Sequence, residues 1–252
     1  MDFKHAVQVF EEYLDHYDRK DDKIKLKIIH TYGVVSAAGY LAKGLHLSGE
    51  DADLARMIAL LHDIGRFEQL RRYDSFDDSI VPHAQLSLEI LFSGHMIGEF
   101  LPERNYDGII YTAIKNHGLY RMESGLEGRA LLHSQIIRDA DKMDNYRVKD
   151  VSDMVTMVDV TEEELGREDI SDHIYRNFLS HTPIVNSERK THMDMWVSYL
   201  GYIFDFNFSV GLTYLKEHDY ITKLVNRVPY SNENTKKKMA EIYRVAMEYI
   251  SG

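Results

Sequence analysis

The 252-residue chain contains no cysteine. Disulfides, thiolate nucleophiles and thiolate metal ligands are excluded, so any metal must be held by nitrogen and oxygen. Proline occurs four times and tryptophan once, and there is no Gly/Ser-rich linker, low-complexity run or internal repeat. No segment approaches the roughly 20 consecutive apolar residues of a membrane-spanning helix, which argues against a membrane partner. The opening Met1-Asp2-Phe3-Lys4-His5 begins an amphipathic pattern rather than the apolar block of a secretory signal. With the missing cysteine, this suits a cytoplasmic location. Positive charge is outnumbered, with 30 Lys and Arg against 41 Asp and Glu. The formal net charge of -11 repels the phosphate backbone of DNA or RNA and disfavours a nucleic-acid polymer as partner. A small phosphorylated ligand is not excluded, because it responds to the local field of a pocket, which a bound divalent cation inverts.

What the chain has in quantity is helical periodicity. With 44% hydrophobic residues it can bury one large core, or a core with an appended lobe. Apolar positions recur at spacings of three and four, so the expected fold class is all-α. Helices are predicted at about 2–17, 22–44, 50–62, 83–92, 103–117, 129–147, 161–180, 190–217 and 232–250. Ser48 with Asp51 and Thr161 with Glu164 have the spacing of a capping box, in which side chains satisfy free N–H groups at a helix start. Pro82 stands where the fourth of these helices should begin. A composition shift near 148–160 suggests a core over residues 1–150. Residues 151–252 are then an aromatic-rich helical extension that packs on or completes the same domain. The alternative for that extension is the surface of a homodimer.

Histidine is over-supplied, with 13 copies, and position matters more than number. His30 falls on the stripe Leu26, His30, Val34, Ala37, Leu41. His62 follows Leu54, Ile58 and Leu61; His83 leads Leu86 and Ile90; His117 follows Ile110, Ala113 and Ile114. Asp141 lies one turn past Ile137 on the stripe of its own helix. Each of these polar groups is thus expected on an inward face. A single histidine there is usually a hydrogen-bonded core residue, but a core-facing carboxylate is costly unless paired or metal-bound. One divalent metal centre explains His30, His62, Asp63, His83, His117 and Asp141 together. Neighbouring helical residues point about 100° apart, so His62 and Asp63 can serve one ion only if it lies between them. Gly65 can end or bend the helix there and open room beside the backbone.

The order His30, His62-Asp63, Asp141, with the phrases LLHDIGRF and RDADKMDN, resembles the HD-domain superfamily of metal-dependent phosphohydrolases. The likeness runs from about residue 26 to about 147. It implies an HD-type helical bundle followed by additional C-terminal helices. It also implies a first metal on His30, His62, Asp63 and Asp141, and Asp63 bridging to a second metal completed by His83 and His117. If a single ion binds, the last two histidines contact the substrate phosphate instead. Imidazole and carboxylate ligands suit Mn, Fe, Co, Ni or Zn, and Mg less well. Asn116-His117 stands where the HD-GYP cyclic-dinucleotide phosphodiesterases carry paired histidines, and the GYP tripeptide is missing, which argues against cyclic di-GMP. The activity implied is hydrolysis of a phosphate ester or anhydride of a small molecule, foremost a nucleotide, by a water that the metal activates. A di-iron oxygenase and a non-catalytic nucleotide sensor are the alternatives.

Beside the ligands, Arg66 is placed to fork onto a phosphate oxygen, its alternative being a solvated surface arginine. Lys142, next to Asp141, is a similar candidate. With Asp63 these are the expected catalytic residues. Asp144 either orients a ligand or caps its helix. His95 and His133 are expected to be structural or exposed, Lys236-Lys237-Lys238 a solvated helix face, and Arg71-Arg72 an exposed turn.

Overall fold

A computed structural model describes all residues, 1–252. Helices take up 72% of the chain and there are no strands. The α-helices are α1 Phe3–Leu14, α2 Asp22–Gly44, α3 Gly49–Leu61, α4 Ile64–Tyr73, α5 His83–Leu88, α6 Ile97–Phe100, α7 Asp107–His117, α8 Gly128–Val151, α9 Met154–Val158, α10 Glu162–Leu165, α11 Asp172–Leu179, α12 His192–Leu200, α13 Ser209–Glu217, α14 Tyr220–Arg227 and α15 Glu233–Ser251. No helix is long and apolar enough to cross a membrane.

The chain folds as two compact units, Met1–Asp141 and Lys142–Gly252. The division falls within α8, earlier than the composition shift near 148–160. In the first unit α2 lies along α3, α4 against α5, and α5 against α7. Asp21 and Ser48 start α2 and α3 by accepting the N–H of Ile24 and Asp51. The stripe Leu26, His30, Val34, Ala37, Leu41 is buried throughout. In the second unit α11, α13 and α14 pack on α15 around Trp196, Phe178, Leu200 and Ile242. The capping box of Thr161 and Glu164 is formed.

Several expected helices are shorter or divided. The predicted helix 161–180 breaks between α10 and α11, because Gly166 caps α10 with its Cα against the Pro229 carbonyl; a methyl there would lie 2.3 Å from that oxygen. The predicted helix 190–217 gives way to a 3-10 segment at Gly201–Asp205 and extended backbone at Phe206 and Phe208. Helices α4 and α14 lie in stretches expected to be irregular. After Leu88 the chain winds as a π-helix over Glu89–Ser93. Its extra residue per turn shifts the stripe, so Leu91 is buried where Ile90 was expected.

Candidate metal centre

The break between α3 and α4 falls on the dyad itself. His62 ends α3 with helical angles, whereas Asp63 has φ -107 and ψ 16 and occupies the N-cap position of α4. An aspartate at that position usually accepts a backbone N–H of the first turn. Asp63 makes no such bond, and its carboxylate receives the ammonium of Lys27 at 2.9 Å instead. Gly65 does not end the helix; it lies in the first turn of α4. A methyl on it would lie 2.4 Å from Ser87 N and 2.5 Å from His83 O, so only glycine lets α4 and α5 touch backbone to backbone. Across that contact Gly65 N–H donates to Ser87 Oγ (2.9 Å), and Ser87 Oγ–H donates to the His62 carbonyl (2.9 Å). The dyad and the helix that starts at His83 are thereby held in one register.

Around Asp63 the imidazoles fall into two sets. Its Oδ2 lies 3.7 Å from His62 Nε2 and 3.9 Å from His30 Nε2, and His30 Nε2 is 3.0 Å from Asp141 Oδ1. Its Oδ1 lies 3.3 Å from His83 Nε2 and 3.7 Å from His117 Nε2. Atoms bound to one ion at about 2.1 Å each can be no more than about 4.2 Å apart, and all these separations are within that limit. His62, Asp63, His83 and His117 are buried, while the Asp141 side chain is 26% exposed and so less inward than its stripe suggested.

Hydrogen bonding fixes what these rings offer. His62 Nδ1–H donates to the Ala59 carbonyl (2.7 Å), and His117 Nδ1–H donates to that of Ile114 (2.6 Å). His83 Nδ1–H donates to the Asp78 carboxylate (2.7 Å). In a neutral ring with a donating Nδ1, Nε2 carries a lone pair. The Nε2 atoms of His83 and His117 are 2.9 Å apart, while His62 Nε2 and Asp63 Oδ1 are buried without a hydrogen-bond partner. Burial pushes His62 and His83 down to about 4, which outweighs the carboxylates beside them. For Asp63 burial alone would raise the pKa; Lys27, then His62 and His83, hold it well below the usual carboxylate range. Asp141 is lowered the same way, with His30 overcoming its desolvation. At neutral pH the centre therefore presents ionised carboxylates and imidazole lone pairs aimed at common points. Such convergence is repulsive unless a cation sits among them. The donor set fits a divalent transition ion.

The surroundings hold residues that spacing did not single out. Asp78 accepts from His83 Nδ1 and, two-pronged, from Arg66 Nη1 (2.8 Å) and Nη2 (3.2 Å). Burial would raise Asp78, but His83 and Arg66 hold it low. Arg138, one turn before Asp141, is buried and donates to the carbonyls of Asn116, His117 and Leu119 at the end of α7. The faint sequence signal for Lys27 was its place one turn before His30; Asp78 and Arg138 had none, because their contacts do not follow the spacing of three or four along one helix.

Of the expected catalytic side groups, Arg66 is no solvated surface arginine: its side chain is 12% exposed and spans Asp78, the Gln69 side chain and the Phe76 carbonyl. Lys142 is committed within its own unit to the carbonyl and carboxylate of Asp205, both at 2.7 Å. Asp144 is buried and pairs with Arg147. His133 is structural, bonded to Asp51 at 3.0 Å, and His95 is exposed. Arg71 and Arg72 are exposed but helical, paired with Glu68. Lys238 departs from the solvated face expected of it: it is buried and binds the Ile170 carbonyl and Asp172.

The sequence model of the HD domain family matches residues 28–146. That span contains His30, the dyad, His83, His117 and Asp141. Residues 28–146 form an HD domain. The HD domain is the fold of a superfamily of metal-dependent hydrolases, and here further helices follow it. No curated protein and no solved structure matches the chain.

Proposed function

We propose that this HD protein is a metal-dependent phosphohydrolase that cleaves a phosphate ester or anhydride of a small molecule, foremost a nucleotide. The supporting observation is the inward convergence of imidazole lone pairs on a carboxylate whose two oxygens face different imidazole pairs. His30, His62, Asp63 and Asp141 would hold a first divalent ion, and Asp63, His83 and His117 a second. Bound there, such ions lower the pKa of water and draw charge from phosphoryl oxygens. The protein's own part is rigidity and charge. Carbonyls of Ala59 and Ile114 and the carboxylate of Asp78 fix the ring tautomers and orientations. The chain's overall negative charge keeps polymeric nucleic acid away, while Lys27 and Arg66 keep a positive local field at the centre.

Metal analysis of the purified protein, followed by a screen of phosphorylated nucleotides and sugars with added Mn2+, Co2+ or Ni2+, tests this reading. Phosphate or nucleotide release that vanishes in Asp63→Asn is expected. Full activity in that variant would remove the proposal. Dioxygen consumption by an iron-loaded protein, or nucleotide binding without turnover, would replace it.

A further inference from the structure

Lys27 has a place in the centre that neither the ligand set nor the spacing of motifs assigns. Its ammonium sits 2.9 Å from Asp63 Oδ2 and its side chain is only 16% exposed. The other group against it is the Phe76 ring, with Nζ 5.4 Å from the centroid. Asp63 Oδ2 is also the oxygen that faces His62 and His30. A divalent ion held by His30, His62 and Asp141 would therefore call on the same oxygen as the ammonium, and two cations that close repel strongly in a partly desolvated site. An ammonium parted from its carboxylate while largely buried is costly until it meets another anion. The lysine stem is long and flexible enough to make that exchange. Arg66 is less free to do so: its two terminal nitrogens are tied to Asp78, Gln69 and the Phe76 carbonyl, and its Nε lies 3.7 Å from the other Asp63 oxygen, Oδ1.

We propose that Lys27 couples the two halves of binding: it neutralises Asp63, and when a divalent cation takes over that oxygen it turns to a phosphoryl oxygen of the ligand. Lys27, rather than Arg66 or Lys142, is then the side chain that contacts phosphate. This rests on the metal-centre reading above. Coupling of this kind is reciprocal: a phosphate that engages Lys27 must tighten the cation, and the cation must tighten the phosphate.

The test is calorimetric titration of Mn2+ into the full chain, with and without inorganic phosphate, for wild type, Lys27→Met and Lys27→Arg. In wild type, phosphate is expected to tighten Mn2+ binding about tenfold. Lys27→Met should bind Mn2+ alone more tightly than wild type, with phosphate adding less than about twofold. Lys27→Arg, which keeps the charge, should retain the coupling. A lysine that served only as counter-ion to Asp63 would leave the phosphate effect unchanged, so equal enhancement in wild type and Lys27→Met overturns the proposal. So does weaker Mn2+ binding by Lys27→Met, absence of a phosphate effect in wild type, or its loss in Lys27→Arg, the arm that decides if the methionine variant does not fold. If wild type binds no Mn2+, Co2+ or Zn2+, the metal-centre reading itself fails; metal binding with unaltered phosphate coupling sinks only the role of Lys27.

Discussion

Both units are amphipathic helices around an apolar core, yet they bury polar groups in different ways. In Lys142–Gly252 such groups end on nearby backbone or on a single partner of opposite charge, as Asp144 does on Arg147. Asp194 accepts the N–H of Ser171 and Lys190 at 2.8 and 2.9 Å, and Tyr146 donates to the Leu200 carbonyl at 2.8 Å. Trp196 Nε1 is unpartnered there, but as a single neutral donor. In Met1–Asp141 the rings of His62, His83 and His117 use one nitrogen for anchoring and aim the other at Asp63. Burial of charge alone does not mark a site. Convergence of anchored acceptors does.

The comparison breaks most easily at Asp63. Asp63→Asn is expected to lose bound metal, read by elemental analysis, and to lower hydrolytic activity on the order of 10^3-fold or more. Phe178→Ala, in the core of the second unit, should cost about 3–5 kcal/mol of stability in denaturant titration and leave the metal content of folded protein at the wild-type value. Metal loss in Phe178→Ala would show that the second unit helps to hold the centre.

Much of this contrast was legible in the chain. The positions of His30, His62, His83 and His117 on apolar stripes correctly foretold their burial, since helical period fixes which residues face inward. The helix end predicted at residue 62 agrees with α3, which stops at Leu61, but the same logic did not foresee that α4 restarts at once at Ile64. Gly65 does not stop a helix, but the room it was expected to open beside the backbone is what lets α5 approach. Asp78 and Arg138 act on groups five to more than twenty residues away, beyond what spacing along one helix conveys. Arg66 and Lys142 were legible as charges but not as ion pairs, since their partners lie in a loop and a 3-10 turn that carry no periodicity.

Smaller changes sharpen the contrast within the first unit. Gly65→Ala places a methyl against the α5 backbone, which cannot yield as a side chain would, so α5 and with it His83 must shift. A loss of about 1–3 kcal/mol in stability together with fewer bound ions is expected; full metal content would show that α5 moves without disturbing His83. Asp78→Asn keeps an acceptor beside His83 Nδ1 but removes the charge that orients and polarises the ring. Metal affinity should fall about 10–100-fold, with the melting temperature changing little. A change in melting alone would make Asp78 a fastener of its loop.

The smallest effect concerns His133, a histidine of the first unit that belongs to the other pattern. It is fully buried, with Nε2 3.0 Å from Asp51 Oδ1. Burial lowers its pKa; the Asp51 hydrogen bond opposes that, and the charge of nearby Arg129 adds to it. The unfolded ring takes up a proton near its ordinary value of about 6.5, before the folded ring does. Stability from this residue is thus complete above about pH 6.5 and declines as pH falls toward the folded value. His133→Gln retains a donor toward Asp51 and does not titrate, so it should lose less stability than the parent between about pH 7.5 and about pH 5.5, read as denaturation midpoints. His62 and His83, held at about 4, add decline of the same sign to both proteins, and the difference between them isolates His133. Identical slopes would mean that the ring at position 133 escapes the desolvation its burial implies, and would leave the rings around Asp63 as the source of the acid sensitivity.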